Sequence, residues 1–557
     1  MAWRRGPNAA AGASPAWRQF GYHRRMPTLR NSVRASVGRA LLGVVVAASL
    51  SLASPRASAD EFLDKLNASL ADVKNPQRSD LVLLPLLAKL QPAPAKYAKL
   101  EALAPLYPGS PAMAELAAWC TAPTQKAIID AIATVTKEDD YRKAMAFAQP
   151  YGVEGVPVEM VSARLYTELG DPPTLAGAKF YYMDSIRAME VLIHADAIRR
   201  AGEGDTIGAV KLMCDWTFFC RQMADRRFYR EVVWAYEAMI GAQERLRDIA
   251  YWDSRTKKAL DQPAQRDQLP ALVARIDEGK GYLEISRMRL PIGDRLGSEQ
   301  AVARVYQPRG GVDSNVFATT MSRMGSSEYP LRLFGEASRW QAVAGTQKNW
   351  FEINDQLPKL YADWESRWRL DPFDKLMEKP FVYSTFDRGG FAVLDATAPD
   401  MGMLFTLRQQ LQVELAGTRH ALAIVGYTAA AKAFPPQLSS VRPQWIKALT
   451  VDAYNPNRAR GAVPPFEFFV PMRDQKVDAR GEAKPHEVKV FVAGGANFDL
   501  KLRDDQFLLY SSGRDGANNY AGRVDNRPDA GTGTDYLIWP PVSSLYRQHL
   551  MDLGQIK

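Results

Sequence analysis

MGMLFTLRQQLQVELAGTRHALAIVGYTAAAKAFPP, residues 401–436, marks a change of grammar in the chain. Leu404, Leu407, Leu411, Leu415, Leu422, Val425 and Ala429 recur at intervals of three, four or seven residues, which places them on one stripe of a long helix. Thr418 alone interrupts that stripe, and Phe434-Pro435-Pro436 stops it, because proline lacks the N–H that a helix needs and collides with the preceding turn. Four short runs rich in β-branched and aromatic residues follow: Phe466-Glu-Phe-Phe-Val470, Val488-Lys-Val-Phe-Val492, Gln506-Phe-Leu-Leu-Tyr510 and Tyr536-Leu-Ile-Trp539. Each is bounded by Gly, Asp, Asn or Pro and reads as a strand. One long helix packed on a small antiparallel sheet is an α+β module, assigned to residues 401–557.

Upstream, the period is helical throughout. Residues 60–175 carry Leu63, Leu66 and Leu70 at helical spacing and an Ala-rich run from Met113 to Ala118, and their many prolines predict short helices with abrupt stops. Gly and Pro cluster at residues 150–157 and 170–173, which sets a soft boundary before a second block, residues 176–400. There Met183, Ile186, Met189 and Ile193 form one face, and Gly202-Glu-Gly204-Asp205 ends that helix and offers Asp205 as a cap for the next. Leu212, Trp216, Phe219 and Met223 mark a second helix; Val232, Tyr236, Met239, Gln243 and Leu246 mark a third. Such faces pack as an antiparallel helical array, and the wide aromatic stripe is core. Gly310-Gly311, Gly325 and Gly389-Gly390 break up residues 300–400, read as the end of the helical region plus an irregular connection, although helical spacing persists from Trp350 to Trp368. The fold expected is mainly α with a C-terminal α+β module.

The N-terminus carries a different signal. Ala40 to Ser54 is a short apolar run preceded by Arg30, Arg34 and Arg39 and followed by Ala57-Ser58-Ala59, the order of a signal peptide. Residues 1–59 are therefore read as a leader with cleavage near Ala59, an uncleaved anchor being the alternative, and Met26 is a candidate start. Export to the periplasm or the extracellular space follows, and no later run reaches membrane-spanning length. The leader also explains the net charge of +9. It holds nine arginines and no lysine or acid, so 62 of the 71 basic side chains remain, against 62 acidic ones. A formally neutral chain lacks the footprint of a nucleic-acid binder. The three cysteines, Cys120, Cys214 and Cys220, are too few for a disulfide framework and read as buried small hydrophobes, a long-range bond to Cys120 remaining open.

The C-terminal motifs resemble a known family. The Phe-Pro turn, the helical segment Leu438 to Leu449, Asp452-Ala-Tyr-Asn455, Phe507-Leu-Leu-Tyr-Ser-Ser-Gly-Arg-Asp-Gly516 and the closing Asp535-Tyr-Leu-Ile-Trp539 are similar to the C-terminal domain of the major pseudopilin of type II secretion, over about residues 403–541. In that family the Gly-x-Asp-Gly loop binds calcium. The resemblance implies Asp515 and Asp535 as carboxylate ligands, with Asp525 and Asp529 between them in a loop rich in oxygens. Gly513, Asp515, Gly516 and Asn518 equally suit a tight turn, and turns and calcium loops use the same residue types. The chain also departs from the family. No prepilin-peptidase site or membrane stem precedes Met401, and Arg419 and His420 interrupt the helix where an apolar stem belongs. A pilus subunit is therefore not expected. The whole chain resembles large exported helical proteins of planctomycete-type bacteria, a likeness that implies no activity.

Enzyme motifs are sparse. Gly-x-Ser-x-Gly, His-Glu-x-x-His, a phosphate-binding Gly-rich loop and paired Cys-x-x-Cys are absent from the sequence. His194, His420, His486 and His549 include no two at metal-ligand spacing. Glu138-Asp139-Asp140, Asp504-Asp505 and Asp184 with Glu190 are the carboxylates available for glycoside hydrolysis; adjacent acids are more often solvated surface. His194 with Asp196, beside Arg199 and Arg200, reads as a satisfied surface or groove residue. The expectation is an exported, non-enzymatic binding or structural protein linked to a secretion or envelope assembly, with an unidentified protein or cell-envelope partner. The alternative is an extracytoplasmic hydrolase acting on a glycan through carboxylates in the helical region.

Overall fold

The computed structural model describes residues 57–71, 73–137, 151–326, 333–460, 465–474, 486–492, 497–502, 506–528, 530 and 532–556. Most of the leader, the acids at 138–140 and 504–505, and Asp529 lie outside the described residues. The helices are Ala57–Ala71 (α1), Asp80–Leu87 (α2), Met113–Thr121 (α3), Pro123–Val135 (α4), Val158–Ser162 (α5), Tyr182–Gly202 (α6), Thr206–Met223 (α7) and Tyr229–Arg255 (α8). They continue with Pro263–Arg266 (α9), Leu269–Arg275 (α10), Gly293–Val305 (α11), Ser314–Ser326 (α12), Leu333–Ala344 (α13), Trp350–Arg367 (α14), Val382–Thr385 (α15) and Ala392–Thr397 (α16). Gly402–Ala431 (α17), Pro471–Asp474 (α18) and Val542–Asp552 (α19) complete them. None of the described helices is long and apolar enough to cross a membrane. The chain is mainly α with a C-terminal α+β module, and residues 300–400 are more helical than their glycines suggest.

Short turns make α6, α7 and α8 successive antiparallel neighbours. Gly204, at φ +88°, takes the left-handed conformation that an L side chain resists, and Asp205 then accepts the Gly208 N–H at 2.9 Å as cap of α7. The apolar stripes of all three helices are buried, as are Cys120, Cys214 and Cys220, which are free thiols. Burial pushes Cys120 and Cys214 up to about 12, so both stay protonated and inert.

The strands are Thr167–Glu168 (β1), Lys179–Phe180 (β2), Glu467–Phe469 (β3), Glu487–Phe491 (β4), Asn497–Lys501 (β5), Leu508–Ser511 (β6), Arg523–Asp525 (β7) and Tyr536–Trp539 (β8). Among the described residues the C-terminal module holds two three-stranded sheets where one was expected. One is antiparallel, in the order β3-β6-β8; the other, β5-β4-β7, pairs β4 antiparallel to β5 and parallel to β7. Among the described residues, a bridge between Val524 and Asp535 links them. Both faces of β6 and β8 are buried. Leu509, Ile538 and Trp539 join the main core, whereas Leu508, Tyr510 and Leu537 join a second core with Val488, Val490, Phe498 and Leu545 of α19.

α17 lies between the array and this sheet, against α8 and α10 on one side and β6 and β8 on the other. From Val413 to Gly426 every residue is buried, so the apolar stripe read from sequence is only one of its covered faces. Two glycines permit the close approach. A Cβ at Gly417 would lie 2.5 Å from Ile538 Cδ1, and one at Gly426 would lie 2.4 Å from the Trp445 ring. Gly426→Ala is therefore expected to destabilise the fold by about 1–2 kcal/mol in denaturant unfolding, the ring clash outweighing the roughly 1 kcal/mol that alanine gains in a helix interior. A stabilised variant would mean that Trp445 can move aside.

Candidate functional site

The carboxylates expected to hold calcium act as N–H acceptors. Asp515 Oδ1 takes the Ala517 N–H at 3.0 Å and its Oδ2 the Gly533 N–H at 2.6 Å. Asp535 is fully buried and accepts from Ala521 N at 2.7 Å and Asn519 N at 3.1 Å. Burial pushes its carboxyl up to about 6, more than these N–H groups pull it down. Asp525 turns to Arg527, whose Nε and Nη2 bond its two oxygens at 2.8 and 2.6 Å. Asp515 and Asp535 are thus brought near each other, and Asp525 is neutralised. Gly513 and Gly516, both at positive φ, close the turn. Calcium needs six to eight converging oxygens. Among the described residues no three His, Cys, Asp or Glu side chains are grouped to hold a metal ion; calcium also takes main-chain carbonyls, and Asp529 of the same loop lies outside the described residues. The melting temperature of the full chain with and without millimolar calcium tests the metal reading: a rise that Asp515→Ala abolishes is its expected outcome by linkage, and an unchanged midpoint would leave the loop a turn alone.

The sequence pairing of Asp184 with Glu190 does not form. Asp184 is exposed, with Arg187 at 3.5 Å, while Glu190 is buried in α6 and accepts from Trp234 Nε1 at 3.3 Å. Glu190 instead acts on Glu237, one turn beyond Trp234 on α8, while the carboxylate that acts on Glu190 itself is Glu101. Burial raises Glu190 to about 7; burial first, and the Glu190 charge second, raise Glu237 to about 8. No spacing within one helix could reveal a pair made across two.

His194 is interior, against the surface or groove position read from sequence. It is 2% exposed, not at the surface, and neither ring nitrogen has a hydrogen-bond partner among the described residues. α6 is covered on all sides there, and burial, then the Arg245 charge, hold the imidazole well below its usual range, neutral. Asp196 is equally buried but satisfied, accepting from Arg199 Nε at 2.8 Å and Arg200 Nε at 2.7 Å. His420 is also interior. Its Nδ1 faces Ala416 O at 2.7 Å and its Nε2 accepts the Thr450 N–H at 3.2 Å, which describes a neutral ring.

Charged residues also join the array to the C-terminal module. Arg247 of α8 pairs with Glu414 of α17 and donates to Thr418 Oγ1 at 2.7 Å; Glu414 in turn accepts the Tyr536 hydroxyl at 2.5 Å. Next to it, Asp248 pairs with Arg547 of α19, accepts Ser544 Oγ at 2.6 Å and accepts Arg245 Nη1 at 2.7 Å.

A cleft of about 290 Å³ opens where the turn after β1 meets α11 and α12. Pro172 and Thr174 form one wall; Arg304 of α11 and Asn315, Val316, Thr319, Thr320 and Arg323 of α12 complete the lining. Arg304 is held in place, donating to Thr174 Oγ1 and to Pro173 O, both at 2.7 Å. Gln300, one turn before it, accepts the Leu175 N–H at 2.8 Å. A Cβ at Gly297 would lie 3.0 Å from Ala176 N, so the same turn is seated tightly on α11. Arg323 Nη1 reaches Asp171 O at 3.5 Å. Burial, and then the positive charge of Arg323, pull Arg304 below its usual range, a sign that the two guanidinium groups face a common space. No carboxylate, imidazole or thiol lines the cleft among the described residues. Arg304 and Thr174 stand 130 positions apart, and no sequence signal joins them.

No protein-family model, curated protein or solved structure matches this chain.

Proposed function

We propose that this chain is an exported, non-enzymatic binding protein. Its helical body presents a ligand site, and its C-terminal module, in keeping with the pseudopilin-like motifs, docks to a secretion or envelope assembly outside the cytoplasm. The make-up of the cleft between α11 and α12 carries this reading. Two guanidinium groups, threonine hydroxyls and an amide can hold a ligand, but they include no group that would take up or deliver a proton at neutral pH. The carboxylates named from sequence within the described residues either face solvent or serve as internal acceptors.

One observation favours the hydrolase instead. Glu190 and Glu237 form a carboxylate pair, both raised toward neutrality, as an acid and base pair would be. Cell fractionation of the tagged chain, followed by incubation of the purified protein with polysaccharides, separates the two. The binding reading expects the chain outside the cytoplasm and no new reducing ends. Turnover that Glu237→Gln removes, with the fold intact, would establish the hydrolase.

A further inference from the structure

We infer that the chain pairs with a second copy of itself through β5, the two strands running antiparallel, with Leu500 opposite Leu500 and each Asp499 opposite the partner's Lys501. This is independent of the cleft and of the binding reading. β5 is the outer strand of the order β5-β4-β7, so one of its sides is paired and the other is not. The Leu502 N–H donates to His486 O at 2.8 Å, which makes these two a hydrogen-bonded pair of the antiparallel ladder. Counting back by twos, the main chain of Leu500 and Phe498 turns toward β4, and that of Lys501, Asp499 and Asn497 turns outward. Among the described residues nothing takes up the outward N–H and C=O groups of Asp499 and Lys501. Such a row is a template for another strand.

The side chains decide which strand fits and in which register. On one face Glu487 of β4 lies across from Lys501, with an ion pair at 3.4 Å, and Lys489 lies across from Asp499. An antiparallel copy centred on Leu500 extends both rows with alternating sign: Glu487 and Lys501 are followed by the partner's Asp499 and the partner's Lys489 in one row, and the second row is the inverse. Moving the centre to Asp499 or to Lys501 sets like charges face to face, and a slip of one residue between the strands would turn an apolar face outward. On the other face Leu500, which its own chain buries only in part, meets its counterpart. α19 adds to that face. It starts just after β8 and reaches β5, where His549 stacks on Phe498 with ring centroids 4.8 Å apart. Leu553, one turn further on the stripe of Leu545 and His549, is 56% exposed. Pairing two copies about Leu500 carries both helix ends toward the shared axis.

A five-residue strand and a helix end make a small contact, below the roughly 1,000 Å² of a stable interface, so the dimer is expected to be weak and reversible. Sedimentation equilibrium of the purified full chain over a concentration series tests this, the average mass being expected to climb toward that of two copies. Asp499→Lys and Lys501→Asp each set like charges opposite one another in both symmetry-related pairs, and each variant alone should dimerise about tenfold more weakly. The melting temperature should change little, because both side chains are exposed and such pairs contribute little to the fold. Mixed in equal amounts, the two variants restore opposite charges at both positions, and dimerisation should return. A mass that stays that of one copy at every concentration overturns the inference. So does a variant that self-associates as the wild type does, which would put the contact elsewhere, or a mixture of the two folded variants that associates no more tightly than either alone, which would break the register.

Discussion

Replacing Asp248 by alanine is expected to cost about 3–5 kcal/mol of unfolding free energy, the range for removing one partner of a buried ion pair. Asp248 is 1% exposed and neutralises Arg547, which is wholly buried, while also accepting from Arg245. Without the carboxylate, the Arg245 and Arg547 guanidinium groups would be left in the interior with the charge of Glu244 alone to offset them, and Ser544 would lose its acceptor. The Arg547 donations to Ala104 O at 3.1 Å and Leu106 O at 3.2 Å tie the N-terminal helices into the same knot, so the loss spreads beyond one contact. Denaturant unfolding at neutral pH measures it. The double variant Asp248→Leu with Arg547→Met supplies the control: exchanging the whole pair for apolar side chains of similar size is often neutral, so much of the loss should return. If the double variant is as unstable as the single one, the carbonyl contacts of Arg547, not the charge pair, hold the joint together.

The joint was hidden in the sequence for a definable reason. The stripe from Leu404 to Ala429 announces α17 because its signal lies within one helix. Thr418 reads there as an interruption, and nothing local singles out Glu414 or Gln410. Their partners arrive from far along the chain: Arg247 stands 167 positions from Glu414, and Tyr536 stands 122. Periodicity registers that a residue is polar, not that another element will bring it a partner. The strands show the same division. Those with continuous apolar runs, such as Leu508–Ser511 and Tyr536–Trp539, are buried on both faces and easily read. Arg523–Asp525 offers only Val524 as an apolar residue and pairs in parallel with β4, so nothing local marks it. In the 513–535 loop the residue types were legible and their use was not. A carboxylate followed by Gly or Asn suits a turn or a cation equally, and only the position of the N–H groups decides.

Glu190→Gln is expected to leave stability unchanged near pH 4 and to raise it progressively above that, reaching about 3 kcal/mol by pH 8, at 1.36 kcal/mol per unit of pKa. Glu190 titrates near 7 in the folded chain because burial disfavours its charge, against 4.5 when unfolded. A carboxyl raised in this way contributes stability that is complete below the unfolded value and lost as pH climbs through the folded one. The penalty therefore develops between about pH 4.5 and 7 and is constant above. Glutamine keeps an oxygen for the Trp234 indole and removes the charge, so the variant escapes the penalty. Subtracting wild type from variant at each pH also cancels the opposite trend of His194 and His420, which burial lowers and which favour the folded state as pH rises toward 6.5. Glu237→Gln should show the same sign over a window reaching about pH 8, with a smaller gain per unit because its side chain is partly exposed. The two gains should fall short of additive, since the Glu190 charge is part of what raises Glu237. A difference that stays flat from pH 4.5 to 8 would mean that Glu190 is solvated or paired with Arg187 in the folded chain. The carboxylate pair would then lose its strain, and with it the one feature that argues for a hydrolase.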